Sequence, residues 1–213
     1  MLKGNGQTNL KINKKKFIYL LSPNKITKGF YKDLELVLNT NIVSFFQLRL
    51  KKYSTKQKIL IGKKIKKLCG AKKVKFIVND DPWLAKKLNA DGCHLGQNDM
   101  SIDEARKVIK NKIIGITCHN SIKLAKIAIK SRPSYLAFGA FYSSKTKKTK
   151  YRATTKVLKE VKKMTNIPIV AIGGINSLNY KKLLLNKVNF LAISGYIWNN
   201  KKYKPIRAAK LLK

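Results

Sequence analysis

The chain has 213 residues, 44% of them hydrophobic, which is enough to build a core and argues against wholesale disorder. No apolar stretch of the sequence approaches the roughly 18 residues that a membrane-spanning helix needs. The 48 Lys and Arg residues outnumber the nine acids and give a formal charge of +39. Because the lysines spread over almost every segment, they are more typical of solvated helix faces than of a nucleic-acid-binding block.

Residues 1–15 are polar and lysine-rich and predict a loose N-terminal arm, whereas residues 16–213 predict one catalytic domain. In this domain, apolar runs of about five residues alternate with amphipathic stretches of about ten to fifteen. The apolar runs predict strands at 17–21, 43–49, 74–79, 92–95, 113–116, 135–138, 167–172 and 190–194. The amphipathic stretches predict helices at 28–39, 55–68, 82–88, 102–109, 122–130, 155–164, 178–185 and 205–212.

This alternation of strands and helices predicts the fold class. Eight strand–helix pairs in sequence indicate a parallel sheet, and eight such units in a chain of this size match a single-domain (β/α)8 TIM barrel. A doubly wound open sheet is the alternative, but it usually has fewer strands, and no G-x-G-x-x-G follows the first one. In a TIM barrel the active site lies at the C-terminal ends of the strands.

Six of the nine acidic residues fall between Asp80 and Glu104. Glu104 is explained by a capping box with Ser101, which also accounts for Asp103 beside it in the first helical turn. Asp91 precedes a strand in a turn and is interpreted as structural. The remaining acids of this cluster are Asp80, Asp81 and Asp99.

Asp80 and Asp99 follow the third and fourth predicted strands, which are neighbours in a barrel. Two carboxylates at neighbouring strand ends can hold Mg²⁺, which prefers oxygen ligands and often shares them with a substrate phosphate. The alternative is that both cap helices, since each precedes one. Their occurrence together in a chain so poor in acids favours the metal, and pyrophosphate is the obvious polyanionic substrate group.

Cationic and hydroxyl side chains also follow the predicted strands. Alternation places Gln47, Arg49 and Lys51 on one side of the second strand, where two cations can clamp a phosphate, although Lys51 alone is equally well interpreted as a surface lysine. Residues 142–148, after the sixth strand, interleave hydroxyls with lysines, which suits either a phosphate loop or a solvated basic loop. Gly173–Gly174 and Ser194 follow the seventh and eighth strands, the usual phosphate site of such barrels.

The histidines and cysteines point to no second kind of site. His94 and His119 lack an H-x-x-x-H spacing and are interpreted as hydrogen-bonded wall residues. The three widely spaced cysteines predict free thiols in a reducing compartment, so a cytoplasmic location is expected. Cys118 is adjacent to His119, but catalytic pairs are usually distant in sequence, so a thiol nucleophile is not favoured. The cysteines are Cys69, Cys93 and Cys118.

Beyond the N-terminal arm, the chain resembles the thiamine phosphate synthase family over nearly its whole length. The matching motifs are Gln47-Leu48-Arg49 with Lys51, Asn79-Asp80, residues 91–100, Thr146-Lys147 and residues 171–175. The resemblance implies a (β/α)8 barrel that joins a pyrimidine methyl diphosphate to a thiazole phosphate. It also implies small phosphorylated substrates, and the lack of a long apolar stretch predicts no membrane partner.

The resemblance further implies a role for individual residues. Asp80 and Asp99 would bind Mg²⁺. The pyrimidine diphosphate would be held by Gln47, Arg49, Lys51, Asn79, Thr117 and Lys147. The thiazole phosphate would be held by Ser144, Lys145, Thr146, Gly174, Ile193 and Ser194. No general acid or base is required by this assignment.

The chain departs from the family pattern at four positions. Leu50 stands in place of an acid, Asp81 in place of an arginine, Thr117 in place of a serine and Ser143 in place of a proline. A related barrel, the thiazole tautomerase, is the alternative, with His119 as its proton-transfer group. Asp99 argues against it, because that relative lacks the second acidic position. A basic nucleic-acid-binding barrel is a further alternative from another class.

Overall fold

Eight parallel strands close into a barrel in the computed structural model, which describes residues 10, 15–143 and 150–213. The strands pair in sequence order, and the last pairs with the first, which confirms the single-domain (β/α)8 TIM barrel. They are β1 Ile18–Leu21, β2 Val43–Leu48, β3 Lys75–Asn79, β4 Gly92–Leu95, β5 Ile113–His119, β6 Tyr135–Gly139, β7 Ile169–Ile172 and β8 Phe190–Ile193. Because all strands are parallel, their C-terminal ends meet at one mouth of the barrel.

Helices follow the strands and cover the outside of the barrel. They are α1 Phe30–Leu38, α2 Thr55–Ala71, α3 Pro82–Lys87, α4 Ile102–Ile109, α5 Ile122–Lys130, α6 Thr155–Met164, α7 Tyr180–Leu185, α8 Gly195–Trp198 and α9 Pro205–Lys210. All eight predicted helices are present at or near their predicted bounds. The short α8 was not predicted.

Local signals in the sequence explain where several helices begin. The capping box predicted at α4 is confirmed, since the Ser101 side chain accepts from the Glu104 backbone and the Glu104 side chain accepts from the Ser101 backbone. Proline occupies the first turn of α3 and of α9, as predicted. The α4 capping box satisfies backbone N–H groups that the helix itself leaves unpaired.

The buried side chains form two layers, one on each face of the strands. Aliphatic residues and several phenylalanines on the outer face pack against the helices. The barrel interior contains a cluster of aromatic rings among aliphatic side chains, with the Phe45 ring 4.9 Å from Phe190 and 5.1 Å from Tyr19. Burying a side chain of this size contributes about 2 kcal/mol or more relative to leaving it exposed. Leu10, the one described residue before position 15, packs against this interior layer.

Strand β5 is longer than predicted, since it continues past Ile116 to His119. The apolar run ends at Ile116, so the sequence pattern does not show this extension. The extension places Thr117 within the strand, and its register with β6 shifts between Thr117 and His119.

Among the described residues, no helix has the length and apolar character needed to cross a membrane.

Candidate active site

Asp80 and Asp99 meet at the mouth of the barrel. Asp80 directly follows β3, and Asp99 lies in the loop between β4 and α4. Their carboxyl groups are within hydrogen-bonding reach of each other. The Gly96 N–H donates to Asp99 Oδ2 at 2.6 Å and holds the second carboxyl in place. The structure therefore brings together the two acids that the sequence singled out.

Neither of these acids caps a helix. The N-cap of α3 is the next residue, Asp81, whose Oδ1 accepts from the Leu84 N–H at 2.9 Å. The N-cap of α4 is Ser101. The alternative interpretation of Asp80 and Asp99 as caps is therefore wrong, and both carboxylates remain available at the mouth.

The paired acids lie in an electrostatic setting of opposing effects. Partial burial raises the pKa of Asp99, and the nearby Asp80 carboxylate raises it further, whereas the Gly96 hydrogen bond and the charge of Lys51 lower it. Lys51 Nζ lies 3.3 Å from Asp80 Oδ2. Lys51 thus lies near both carboxyl groups at the mouth of the barrel.

This donor set fits Mg²⁺ in chemistry. Within residues 10, 15–143 and 150–213 no group of three or more His, Cys, Asp or Glu side chains is arranged to hold a metal. Zinc sites usually use such groups, whereas Mg²⁺ is commonly held by one or two carboxylates, with water and substrate phosphate completing its shell. The mutual repulsion of Asp80 and Asp99 is the kind of strain that a divalent cation relieves.

The other residues predicted to hold the pyrimidine diphosphate differ in how deeply they are buried. Gln47 is buried inside the barrel, and its Nε2 donates to the Tyr19 hydroxyl at 3.1 Å. Arg49 is half-buried, its N–H donates to Ser22 Oγ at 2.9 Å, and Lys51 is largely exposed. Asn79 ends β3 beside the acids. The structure thus places a charged rim above a buried amide.

Thr117 and His94 join this group from the next strands. His94 Nε2 lies 2.9 Å from Thr117 Oγ1, and Nδ1 lies 3.0 Å from the Tyr135 hydroxyl. Burial lowers the pKa of His94 to about 4, and the charge of Arg49 lowers it while that of Asp99 raises it. His94 is therefore neutral at neutral pH with both ring nitrogens engaged, which confirms its interpretation as a hydrogen-bonded wall residue.

The described residues predicted to hold the thiazole phosphate, Gly174, Ile193 and Ser194, lie at the ends of β7 and β8. Gly174 has a φ of +63°, and a Cβ there would approach the Ser143 carbonyl oxygen to 2.3 Å, so glycine is required. Ile193 is buried, and Ser194 Oγ donates to the Ser22 carbonyl at 3.1 Å. The remaining predicted residues of the phosphate loop lie outside the described part of the chain: Ser144, Lys145, Thr146 and Lys147.

The adjacent Cys118 and His119 do not form a catalytic pair. Burial raises the pKa of the Cys118 thiol to about 12, so it is a poor source of thiolate. The His119 ring stacks on Tyr151 with 4.1 Å between ring centroids. The same burial holds for the other cysteines, and all three are free thiols, as predicted.

Sequence reasoning missed several residues that support the site. Ser22 links the ends of β2 and β8, because it accepts from Arg49 N–H through Oγ and from Ser194 through its carbonyl. Tyr19 and Tyr135 were counted only as apolar strand residues. A buried tyrosine hydroxyl needs a partner, and that requirement is the signal which could have identified both.

The fold and the site together define a class of protein. A closed (β/α)8 barrel with paired carboxylates and cations at the C-terminal ends of its strands is typical of enzymes that act on small anionic substrates. A family model described as thiamine monophosphate synthase matches residues 18–197. The chain belongs to the thiamine monophosphate synthase family.

Individual relatives agree with this membership. The chain is 69% identical over 204 residues to a thiamine-phosphate synthase of Pelagibacter ubique, covering 95% of this chain and 98% of the relative. It is 38% identical over 196 residues to a thiamine-phosphate synthase of Erythrobacter litoralis, covering 90% and 92%. The solved structure of a thiamine phosphate pyrophosphorylase from Pyrococcus furiosus matches with a TM-score of 0.82 at 26% identity, covering 93% and 94%.

Proposed function

We propose that this chain is a Mg²⁺-dependent transferase that joins a pyrimidine methyl diphosphate to a thiazole phosphate, giving thiamine phosphate and pyrophosphate. A carboxylated thiazole phosphate would release CO₂ as well. The family, the fold and the names of the relatives support this reaction. The observation that carries the proposal is the meeting of the Asp80 and Asp99 carboxyl groups beside Lys51 at the barrel mouth.

The chemistry needs leaving-group stabilisation more than proton transfer. The bond between the pyrimidine methylene and the diphosphate oxygen breaks, and its electron pair leaves with pyrophosphate. The resulting pyrimidine-methyl cation is captured by the lone pair of the thiazole nitrogen, which forms the new carbon–nitrogen bond. The enzyme contributes by placing the two substrates in line and by stabilising charge that develops on the diphosphate.

Asp80 and Asp99 would hold the metal, and Mg²⁺ bound there supplies positive charge against the diphosphate oxygens. Lys51 and Arg49 add positive charge from the side of β2, and Arg49 can donate two parallel hydrogen bonds to a phosphate. In this proposal the complete pyrimidine diphosphate set is Gln47, Arg49, Lys51, Asn79, Thr117 and Lys147.

The thiazole phosphate would bind at the opposite side of the mouth, at the ends of β7 and β8. The positive φ of Gly174 brings the backbone after β7 close to the segment that leads into the β6–α6 loop. This placement agrees with the usual phosphate position of such barrels. In this proposal the complete set is Ser144, Lys145, Thr146, Gly174, Ile193 and Ser194.

A cytoplasmic location, small phosphorylated substrates and no specific nucleic-acid partner are part of this proposal. Three free, buried cysteines support the location, because such thiols are typical of a reducing compartment. The spread of lysines along the chain supports the absence of a specific nucleic-acid partner. Structure-specific retention on nucleic acid at about 0.2 M salt would contradict that part.

The proposal is tested by supplying both phosphorylated substrates with Mg²⁺ or with EDTA and quantifying thiamine phosphate and pyrophosphate. Product that forms with Mg²⁺ and stops with EDTA is the expected result. Coupling that continues undiminished in EDTA would contradict the metal assignment. Conversion of the thiazole phosphate alone, without coupling, would instead support the tautomerase, which the comparisons do not favour.

A further inference from the structure

Five polar side chains from five different strands form one hydrogen-bonded chain through the barrel interior. Gln47 Nε2 donates to the Tyr19 hydroxyl oxygen at 3.1 Å, and the hydroxyls of Tyr19 and Tyr135 lie 2.7 Å apart. The Tyr135 hydroxyl lies 3.0 Å from His94 Nδ1, and His94 Nε2 lies 2.9 Å from Thr117 Oγ1. The chain therefore runs from a buried amide to a half-buried hydroxyl at the mouth.

A glycine makes this connection possible. Gly115 on β5 pairs in register with His94 on one side and with Tyr135 on the other. A Cβ at Gly115 would lie 1.9 Å from Tyr135 Cζ and 2.4 Å from its hydroxyl oxygen. Only a residue without a side chain lets the Tyr135 ring pass over β5 and stack on His94, at 5.6 Å between ring centroids.

The hydrogen bonds of this chain all donate in one direction, from Gln47 toward Thr117, as the number of available protons shows. Because Gln47 donates to the Tyr19 oxygen, the Tyr19 proton is directed to Tyr135, and the Tyr135 proton to His94 Nδ1. The remaining imidazole proton then lies on Nε2 and is donated to Thr117 Oγ1. In the reverse direction the Tyr19 oxygen would accept from both neighbours. Its own buried proton would then have no acceptor among the hydrogen bonds of the described residues, which is costly.

We propose that this chain fixes His94 as its Nε2–H tautomer and thereby holds Thr117 as a hydrogen-bond donor to the pyrimidine diphosphate. Thr117 Oγ1 already accepts from His94, so its own proton is turned toward the mouth and seeks an oxygen or ring nitrogen of the substrate. Tyr19, Tyr135 and His94 are positioning residues that act through Thr117. This inference rests on the proposed function, which places the pyrimidine diphosphate at Thr117.

The tautomer of His94 can be observed directly, because the protein contains only two histidines. ¹⁵N spectra of the imidazole-labelled, substrate-free protein distinguish a protonated Nε2 from a protonated Nδ1, and a His119→Gln variant assigns the signals. The Nε2–H tautomer of His94 is the expected result. A Nδ1–H tautomer would overturn the proposal, since Thr117 would then donate to His94. This measurement needs no coupling activity, so it separates this inference from failure of the proposed function.

Steady-state kinetics test whether the hydrogen-bonded chain of side chains affects the use of the pyrimidine diphosphate alone. In Tyr135→Phe we expect kcat/KM for the pyrimidine diphosphate to fall about tenfold, the size of one hydrogen bond, with an unchanged KM for the thiazole phosphate. Tyr180→Phe is the matched control, because it removes a tyrosine hydroxyl that donates to the Lys213 carbonyl oxygen and takes no part in this hydrogen-bonded chain. No loss in Tyr135→Phe, or an equal loss for both substrates, would overturn the proposal.

Two further variants separate positioning from a structural role. Tyr135→Phe should mix the His94 tautomers, because Nδ1 loses its partner, and Gly115→Ala should do the same by displacing Tyr135 without removing a hydroxyl. Should Gly115→Ala fail to fold, Tyr135→Phe alone decides the tautomer question. The losses of Tyr135→Phe and Thr117→Val should not multiply in the double variant, because the first acts through the second. Losses that multiply in full would show that Tyr135 acts independently of Thr117 and would overturn the proposal.

Discussion

Lys51 Nζ lies 3.3 Å from Asp80 Oδ2, and this ion pair stands beside the second carboxyl of the mouth, that of Asp99. One exposed lysine offsets little of the repulsion between two adjoining carboxyl groups, because an ion pair in contact with water is weak. Burial raises the pKa of Asp99, and the adjacent Asp80 carboxyl raises it further. In our proposal, a bound Mg²⁺ would relieve this repulsion at the point where we place the diphosphate.

Removing either carboxylate should therefore remove catalysis and leave the fold intact. For Asp80→Ala and for Asp99→Ala we expect kcat to fall by at least roughly a hundredfold, the scale seen when one group that stabilises developing charge is lost. Both variants should keep the circular dichroism of the parent protein. The measurement is coupling rate against Mg²⁺ concentration. Activity retained in both variants would refute the metal assignment.

Asp81 offers a matched control, because it is the neighbouring acid with a different task. Its Oδ1 caps α3 by accepting from Leu84 N–H at 2.9 Å. Asp81→Ala should lower the free energy of unfolding by about 1 kcal/mol, the usual cost of a lost N-cap. The Mg²⁺ dependence of coupling should not change. Urea unfolding and the coupling assay on the same preparation check both statements, and a lost Mg²⁺ response with unchanged stability would contradict the assignment.

Asp80 lies at the barrel mouth and Asp81 caps α3, and this difference shows what the sequence could and could not predict. The convergence of Asp80 and Asp99 was predictable, because neighbouring parallel strands end at the same mouth. The identity of the cap was not, since it depends on one residue of register. Asp80 has a φ of +66°, in the left-handed region, and its N–H bonds the His94 carbonyl, so the chain turns before Asp81 begins the cap.

Most of the fold could be predicted from the sequence, because local sequence signals determine where most strands and helices form. The hydrophobic pattern and the residues that start and end β4 and α4 lie within a short stretch of sequence. Both elements have their predicted bounds. The four-residue α8 is too short to show a helical period. The contact of Tyr19 with Tyr135 joins residues 116 positions apart, and no local pattern says which side chains meet across a barrel.

Arg49 is expected to act on one substrate only. Arg49→Ala should raise the KM for the pyrimidine diphosphate by an amount equivalent to up to about 2–3 kcal/mol, the range for a hydrogen bond to a charged group. Arg49→Lys should recover part of this loss, since it restores the charge and not the two parallel hydrogen bonds. Steady-state kinetics with each substrate varied in turn checks this. Unchanged kcat and KM in Arg49→Ala would remove Arg49 from the site.

His94 should make the stability of the protein depend on pH in a defined window. Its pKa is lowered from 6.5 to about 4 in the folded protein, chiefly by burial. The unfolded chain therefore binds the proton first as pH falls. The stabilisation from neutral His94 is fully present above 6.5 and is lost as pH falls toward 4. The loss is at most about 3 kcal/mol, and smaller to the extent that water reaches this partly buried ring.

The comparison that isolates this effect is between the parent protein and His94→Gln, by urea unfolding at a series of pH values. Asp99 contributes with the opposite sign, because its raised pKa makes stability fall as pH rises through it, and the same contribution is present in both proteins. The difference between the two free energies of unfolding should therefore shrink as pH falls from 6.5 toward 4. His119→Gln serves as the control for removing an imidazole. A difference between parent and His94→Gln that stays constant with pH would show that His94 takes up its proton equally in the folded and unfolded states.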